Sequence, residues 1–383
     1  MLPLIARSIG AIEFGKIGII QTFGVFILLI TEFGSSLMAS REISRIKNSK
    51  KELKVFIGKL LTSKLLTLPV VLLISSLSAL LIPVFRDNLL FLFLVVLGSV
   101  FQGITPTWYF QGTEKMKGIS ISKILFRFLG FIVIVLFVNT SKDAWIVLAS
   151  FACSSLLICV YLYYELLSNI GYFRLSLPVQ SFQIYKDSIH SFFSTIIPVL
   201  NQNLNLIILS LYVNPIQIGY YYVANRIYRA LNSLFGPISQ AFYPIITSSA
   251  KNKDSNLKLI KSYVVLISFI GFLFYLFVYI LAEEIILNFF GNDYFNSIEV
   301  LKLFSMVLPL TAISNSLGRQ WLMASNKDSF YSFVQASSSF VSFLFFIAII
   351  ENQEVKAVPI SLILYELLTI SMISIYLIKN VRN

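Results

Sequence analysis

Long runs of apolar residues alternate with short polar segments along the whole chain. A helix needs about 20 apolar residues to cross roughly 30 Å of hydrocarbon. Backbone amides find no water there, so each such run must form a helix. The sequence therefore predicts an all-α polytopic membrane protein with about eleven transmembrane helices, at residues 15–37, 57–84, 89–110, 118–138, 144–167, 190–212, 217–246, 263–288, 297–323, 329–350 and 357–378.

Composition supports this class and excludes a soluble protein. Of 383 residues, 57% are hydrophobic and only 13% are charged, and the mean hydropathy is +0.82. His190 is the single histidine, and the two cysteines, Cys153 and Cys159, point to different sides of one predicted helix. We therefore expect no metal site, no cofactor and no catalytic residue.

The net charge of +12 comes mostly from lysines and arginines in the loops between apolar runs. This pattern indicates membrane orientation rather than a nucleic-acid partner. One set of alternate loops carries nineteen lysines and arginines, and the other set carries five. Because positive loops stay in the cytoplasm, the first set and the C-terminus are predicted to be cytoplasmic.

An internal repeat divides the chain into two parallel halves. The segment "IGAIEFGKIGIIQ" at residues 9–21 parallels "VNPIQIGYYYVAN" at residues 213–225 without a gap. We predict an N-terminal helical lobe at residues 1–168, a cytoplasmic linker at 169–189 and a C-terminal lobe of six helices at 190–383. Parallel repeats are a common transporter plan, with two bundles that move around a central cavity.

The first lobe lacks most of its opening helix. A full helix precedes the second copy of the repeat, whereas about nine residues precede the first. Two explanations are open, an unusual eleven-helix form or a true start upstream of Met1, and we prefer the second.

Arginines inside the apolar runs are the main candidates for function. Charge near the bilayer centre is costly, so it usually faces a cavity or a partner. Arg127 lies near the middle of its run, and Arg226 and Arg229 begin a polar stripe that ends at Gln240, with spacings of three and four. Guanidinium groups offer paired donors that match phosphate oxygens. A basic cavity would therefore suit an anionic substrate that carries phosphate or pyrophosphate.

Uncharged and acidic residues accompany the arginines. Asn201, Gln202 and Asn205 form a cluster of amides, for which hydrogen bonding between helices is the alternative to substrate binding. Glu32 lies toward the inner end of its run and Glu366 near the middle of the last one. A protonatable Glu366 could couple transport to proton movement, and a structural ion pair with an arginine is the alternative.

Four motifs in order carry a resemblance that covers essentially the whole chain: "LPLIARSIGAIEFGKIG", "TEFGSSLMASREIS", "WYFQGTEKMKGISISKILFR" and "GYYYVANRIYRALNSLFGPISQAFYPIITSSA". Together they resemble the polysaccharide transporter family, the Wzx-type flippases for O-antigen and capsule repeat units. That family lies within the multidrug/oligosaccharidyl-lipid/polysaccharide exporter superfamily.

The resemblance implies twelve helices in two lobes around a cationic cavity that opens alternately to cytoplasm and periplasm. The implied substrate is an undecaprenyl-pyrophosphate-linked oligosaccharide, flipped from the inner to the outer leaflet of the bacterial cytoplasmic membrane without covalent chemistry. Membrane lipids, a polysaccharide polymerase and a chain-length regulator are candidate partners.

The resemblance also suggests roles for the candidate residues. We expect the arginines to attract the pyrophosphate, the amides to bond sugar hydroxyls, and the two glutamates to couple an ion. The residues are Arg127, Arg226 and Arg229, then Asn201, Gln202, Asn205 and Gln240, and finally Glu366 and Glu32.

Three related functions remain as alternatives. An O-antigen polymerase would be an enzyme with a large periplasmic loop, whereas no external loop here exceeds about ten residues. A cation-coupled drug antiporter of the same superfamily should have acidic rather than basic cavity residues. A lipid II flippase shares the cationic cavity but has additional C-terminal helices.

Overall fold

The computed structural model describes residues 2–238, 253–323 and 327–381. Within these ranges the chain is almost entirely helical and contains no strand. The contacts group the chain into two compact units, unit 1 at Met1–Leu211 and unit 2 at Tyr212–Asn383. The predicted all-α fold class is confirmed. The lobe bounds given above, which assign the helix from residue 190 to the second lobe, stay a prediction.

Unit 1 contains ten α-helices within its described residues, the last of which ends one residue beyond the unit boundary. They are α1 (Leu2–Glu32), α2 (Ser35–Ile46), α3 (Lys50–Leu66), α4 (Leu68–Leu81), α5 (Pro83–Arg86), α6 (Leu89–Ile104), α7 (Thr107–Gly112), α8 (Met116–Phe137), α9 (Ala144–Ile170) and α10 (Pro178–Tyr212).

Unit 2 has a helical core in which one helix contacts three others. Its described helices are α11 (Pro215–Ser233), α12 (Lys253–Phe289), α13 (Ser297–Asn315), α14 (Asp328–Gln353) and α15 (Ala357–Val381), with a π-helical segment at Ser316–Met323. Helix α13 packs against α11, α12 and α15. Its Phe304 stacks on Tyr228 of α11, with ring centroids 5.1 Å apart.

Each predicted transmembrane run overlaps a helix in the described residues. Eight helical stretches in these ranges are long and apolar enough to cross a membrane, and the last of them covers both α14 and α15. The predicted run at 57–84 is one of those that are interrupted, in this case at Thr67, between α3 and α4. Pro69 lies in the first turn of α4 and has no N–H to continue a ladder. The Thr67 hydroxyl donates to the Lys64 carbonyl at 2.7 Å.

The two copies of the sequence repeat both contain a break between helical segments. Helix α1 bends at Gly10, whose φ of 76° and ψ of 170° are not helical. Glycine adopts this positive φ without the strain of a Cβ atom. The aligned residue in the second copy is Asn214, which caps α11 by accepting a bond from the Gln217 N–H at 3.1 Å. The aligned motif therefore places a helix boundary at the same point in both copies.

The segment between α9 and α10 is hydrogen-bonded to α3. Helix α9 ends at Ile170, and the chain runs without regular structure to Leu177 before α10 begins. The Ser176 N–H donates to the Thr62 hydroxyl at 3.1 Å. Farther along, the Tyr185 hydroxyl donates to the Ser63 carbonyl. These contacts attach the linker and the start of α10 to unit 1.

Close helix contacts in unit 1 depend on small residues, as is common where lipid replaces water as the solvent. Helix α6 lies between α1 and α9. A Cβ atom at Gly98 of α6 would lie 2.6 Å from the Phe151 ring and 3.1 Å from the Ala152 Cα atom of α9. At Gly103, a Cβ atom would lie 2.7 Å from the Thr31 side chain of α1. Glycine at these positions sets the distance between the helices.

We predict that Gly98→Ala lowers the free energy of unfolding by about 1–3 kcal/mol, because the added methyl group overpacks the α6–α9 contact. Gly236→Ala is the matched control, since a Cβ atom there meets nothing within 4 Å. Thermal unfolding in detergent should show a lower transition temperature for Gly98→Ala and an unchanged or higher one for the control. Equal transitions for both variants would contradict the packing described here.

Candidate functional site

Charged side chains of α1, α3 and α8 form a group in unit 1. Lys64 of α3 is 1% exposed, and its Nζ donates to the Gly103 carbonyl of α6 at 2.7 Å. Glu32, at the end of α1, lies within Coulombic range of Lys64 and of the half-buried Lys123 of α8. The Glu32 carboxylate also accepts a bond from the Ser36 hydroxyl at 3.1 Å. The Glu32 carboxylate thus interacts with the ammonium groups of both Lys64 and Lys123.

Arg127 extends this group along α8. It follows Lys123 by one helical turn, and the two like charges interact. The Arg127 side chain is exposed, and in the described ranges no carboxylate lies within ion-pair distance of it. Together with Lys64 and Lys123, it makes this part of unit 1 basic.

Only part of the amide cluster can be placed. Asn205 of α10 is half-buried, and its neighbour Asn203 donates to the Val199 carbonyl at 2.9 Å. The side chains of Asn201 and Gln202 lie outside the described residues. Gln240, the predicted end of the polar stripe, also lies outside them. The assignment of these amides to sugar hydroxyls stays a prediction.

The two arginines of α11 in unit 2 are half-buried and are held by residues one turn earlier on the same helix. Arg226 donates to the Tyr222 hydroxyl, and its guanidinium carbon lies 4.7 Å from the centroid of the Tyr222 ring. The Arg229 Nε donates to the Asn225 Oδ1 at 3.2 Å. Tyrosine and asparagine are neutral, so these contacts orient the guanidinium groups without cancelling their charge.

Glu366 lies in the core of unit 2 and is only 6% exposed. Its Oε1 accepts from the Thr311 hydroxyl at 2.9 Å, and its Oε2 accepts from the Ser314 hydroxyl. The Tyr228 hydroxyl lies 3.4 Å from the Thr311 Oγ1. In the described residues Glu366 makes no ion pair. Among the described side chains, hydroxyl groups rather than an arginine therefore bond this buried carboxylate.

Several residues of these sites were not anticipated from the sequence, among them Asn225, Tyr228, Thr311 and Ser314. Thr311 and Ser314 are three residues apart on α13, so they share one face of the helix. That spacing was the available signal. It could not identify the partner, because Glu366 is on another helix and the rotation of the two helices is set by packing.

The comparison with protein families is decisive for the class of this chain. The family described as "Polysaccharide biosynthesis protein" matches residues 1–250. The chain belongs to this family.

Curated relatives of this family member include two bacterial proteins that share the name "Putative O-antigen transporter". The one from Escherichia coli (strain K12) is 28% identical, over 99% of this chain and 92% of the relative. The one from Shigella dysenteriae is 24% identical, over 100% of this chain and 95% of the relative.

Solved structures share its fold. The lipid II flippase MurJ in an inward closed conformation matches with a TM-score of 0.72 and 15% identity, over 98% of this chain and 85% of that one. An inward-facing multidrug resistance transporter of the MATE family matches with a TM-score of 0.72 and 14% identity, over 96% and 90%. This member of the polysaccharide biosynthesis family is therefore a multi-pass membrane protein with a transporter fold.

We predict that Lys64 and Glu32 stabilise the folded state jointly, because each supplies the opposite charge that the other needs in a poorly solvated position. Lys64→Met and Glu32→Gln should each lower the free energy of unfolding, by about 1–3 kcal/mol. The loss of unfolding free energy in the double variant should be smaller than the sum of the two single losses, by at least about 0.5 kcal/mol. Chemical unfolding in detergent measures all three.

Lys59→Met supplies the control, since Lys59 is a half-buried lysine of the same helix that makes no ion pair within the described residues. Its effect should add to that of Glu32→Gln. If the effects of Lys64→Met and Glu32→Gln were also additive, the charges of Lys64 and Glu32 would not interact.

Proposed function

We propose that this protein is a flippase that carries undecaprenyl-pyrophosphate-linked oligosaccharide repeat units from the inner to the outer leaflet of the bacterial cytoplasmic membrane. The repeat units would serve the synthesis of O-antigen, capsule or exopolysaccharide. Family membership, the names of the curated relatives and the fold shared with a lipid II flippase support this proposal.

The observation that carries the proposal is the positive sign of four charged groups within the helices. Arg127 lies in an apolar helix, Arg226 and Arg229 are half-buried on α11, and Lys64 is almost completely buried. Pyrophosphate needs several cationic donors, and guanidinium groups bind phosphate oxygens in pairs. Their attraction is stronger where the dielectric constant is low than it is in water. A cationic drug would be repelled by the same groups, which disfavours a cation-coupled drug antiporter.

In this proposal the amides Asn201, Gln202, Asn205 and Gln240 bond the sugar hydroxyls. The lipid tail stays in the bilayer while the head group passes through a hydrated path. No covalent bond breaks, so neither a catalytic residue nor a cofactor is required. An O-antigen polymerase, which forms glycosidic bonds, would need groups that act on such a bond.

Alternating access requires helices that bend at defined points. Pro309 interrupts the hydrogen-bond ladder of α13, and the π-helical segment Ser316–Met323 follows at the end of that helix. We propose that these points are hinges. Glu366, which lies beside them, and Glu32 would couple the movement to an ion. The excess of lysine and arginine in one set of loops supports a cytoplasmic C-terminus. In this proposal a polymerase and a chain-length regulator would act on the exported units.

We predict that Arg226→Ala, Arg229→Ala and Arg127→Ala each lower export of lipid-linked repeat units roughly tenfold or more, because each removes a charge-assisted bond to the head group. The amount of protein in the membrane should stay normal. The assay measures surface polysaccharide and the accumulation of unexported lipid-linked units in cells that lack the native gene.

Arg86→Ala is the matched control, since Arg86 is exposed and pairs with its neighbour Asp87 at 3.6 Å. This variant should export normally. Normal export by all three test variants would refute the assignment of the arginines. Normal export together with altered resistance to cationic dyes would favour the antiporter.

A further inference from the structure

We propose that the segment between α9 and α10, together with the first turns of α10, docks into the anionic head-group layer of the cytoplasmic leaflet. This part of the chain is then an interfacial anchor rather than a free loop in the cytoplasm. The inference does not depend on the substrate proposed above. It uses only the cytoplasmic position that the loop charges predict.

The docking surface consists of five large apolar side chains that are exposed within a short stretch of chain. We call it the linker surface. Its residues are Tyr172, Leu175, Leu177, Val179 and Phe182. Tyr172 is 89% exposed and Val179 is 82% exposed. Outside the hydrocarbon core, a continuous apolar patch of this kind marks a site that binds a protein or a membrane.

The first turns of α10 have two different faces. Ser181 and Ile184, three residues apart, are 0% and 4% exposed. Val179 and Phe182 have the same spacing and are 82% and 58% exposed, and Lys186 follows them one turn later on the exposed side. Successive residues of a helix are about 100° apart, so the two pairs lie on opposite sides. An apolar side that is flanked by lysine is typical of helices that lie in the plane of a membrane surface.

Contacts with α3 fix the orientation of the preceding segment. The Ser176 N–H donates to the Thr62 hydroxyl at 3.1 Å. The Arg174 carbonyl approaches Gly58 so closely that a Cβ atom there would lie 2.2 Å from its oxygen. Phe173 packs against the buried cluster of unit 1. One side of the segment therefore contacts unit 1, which leaves its exposed apolar side chains to the surroundings.

The contact with α3 also indicates the depth of the linker surface. Helices α3 and α4 together run from Lys50 to Leu81, a stretch of 32 residues. Hydrocarbon takes up about 20 residues of a helix, and 20 residues counted back from Leu81 reach Thr62. The bond between Thr62 and Ser176 therefore lies near the boundary between acyl chains and head groups. Tyrosine is enriched in this layer, which suits Tyr172.

The charge of this region favours an anionic partner. Residues 50–54 and 171–187 carry five basic residues and two acidic ones. The basic residues are Lys50, Lys51, Lys54, Arg174 and Lys186, and the acidic ones are Glu52 and Asp187. Within the described residues none of the five basic groups forms an ion pair. Each basic group next to a bilayer adds to the attraction for anionic lipid. A second copy of this chain would instead bring the same positive charge to the contact.

A fluorescent label at position 179 measures the depth. Val179→Cys is made in the full chain with Cys153 and Cys159 replaced by alanine, and the labelled protein is placed in lipid nanodiscs of phosphatidylcholine and phosphatidylglycerol. The quenchers are iodide in water and lipids with a nitroxide either near the glycerol or near the end of the acyl chain. We expect the nitroxide near the glycerol to quench this label most strongly.

Two control positions calibrate the depth, and one further position repeats the test. Asn48→Cys, in the exposed turn between α2 and α3, should be quenched mainly by iodide. Leu73 of α4 is 61% exposed and lies eleven residues after Thr62, or about 16 Å deeper. Leu73→Cys should therefore respond mainly to the nitroxide at the chain end. Tyr172→Cys should behave as Val179→Cys does, and it decides the question if Val179→Cys does not fold.

The preference for anionic lipid is measured with the same label. Nanodiscs contain equal amounts of the two lipids, and the nitroxide near the glycerol is carried by one or the other. Phosphatidylglycerol should quench about twofold more strongly than phosphatidylcholine, because the basic groups attract it. Arg174→Gln combined with Lys186→Gln should bring the two values close together. Arg86→Gln is the control, since Arg86 is an exposed arginine on the predicted external side.

Iodide quenching at position 179 as strong as at Asn48→Cys would place the linker surface in water and overturn the proposal. Protection from all three quenchers would also overturn it, because protein would then cover the surface, either another part of this chain or a second copy. Equal quenching by the two lipids would exclude the anionic partner. No substrate is present, so the result is independent of the export assay.

Discussion

The structure depends on one constraint, which is that the hydrocarbon core supplies no partners for polar groups. Helices bond their backbone N–H and C=O groups internally. The hydroxyl groups of Thr22 and Thr31 are also bonded within their helix, because they donate to the Gly18 and Ile27 carbonyls, each at 2.9 Å. Charged groups cannot satisfy themselves in this way. Lys64 therefore reaches a backbone carbonyl of another helix, and Glu366 takes two hydroxyl groups. The contacts of these buried polar groups thus follow from the lack of hydrogen-bond partners in hydrocarbon.

The same constraint limits where the protein can move. An uninterrupted helix in lipid resists bending, because each broken backbone bond exposes two polar groups to hydrocarbon. In the described part of the chain, three breaks occur where a residue has already removed or replaced such a bond: Gly10, Thr67 with Pro69, and Pro309 with the following π-helical segment. Conformational change in a transporter of this fold would therefore concentrate at these positions. Glu366 accepts bonds from Thr311 and Ser314, which lie next to the last of them.

The sequence predicted much of the fold and a smaller part of the site. Apolar runs of sufficient length leave the backbone no alternative to a helix, so the spans and the fold class could be derived. The break at Thr67 was missed because hydropathy does not register a proline in an apolar run. Thr311 and Ser314 look like ordinary polar residues of a helix, because their role comes from a partner 55 and 52 residues away.

The central claim is that the guanidinium groups of Arg127, Arg226 and Arg229 face water, where they can hold an anion. Thiol accessibility at position 127 tests it most directly, with Cys153 and Cys159 replaced by alanine to remove background reaction. Leu129→Cys is the control at nearly the same depth, about 200° around α8 from Arg127. The account predicts that a membrane-impermeant maleimide labels Arg127→Cys in membrane vesicles and leaves Leu129→Cys unlabelled. An unreactive thiol at 127, or equal labelling at the two positions, would contradict it.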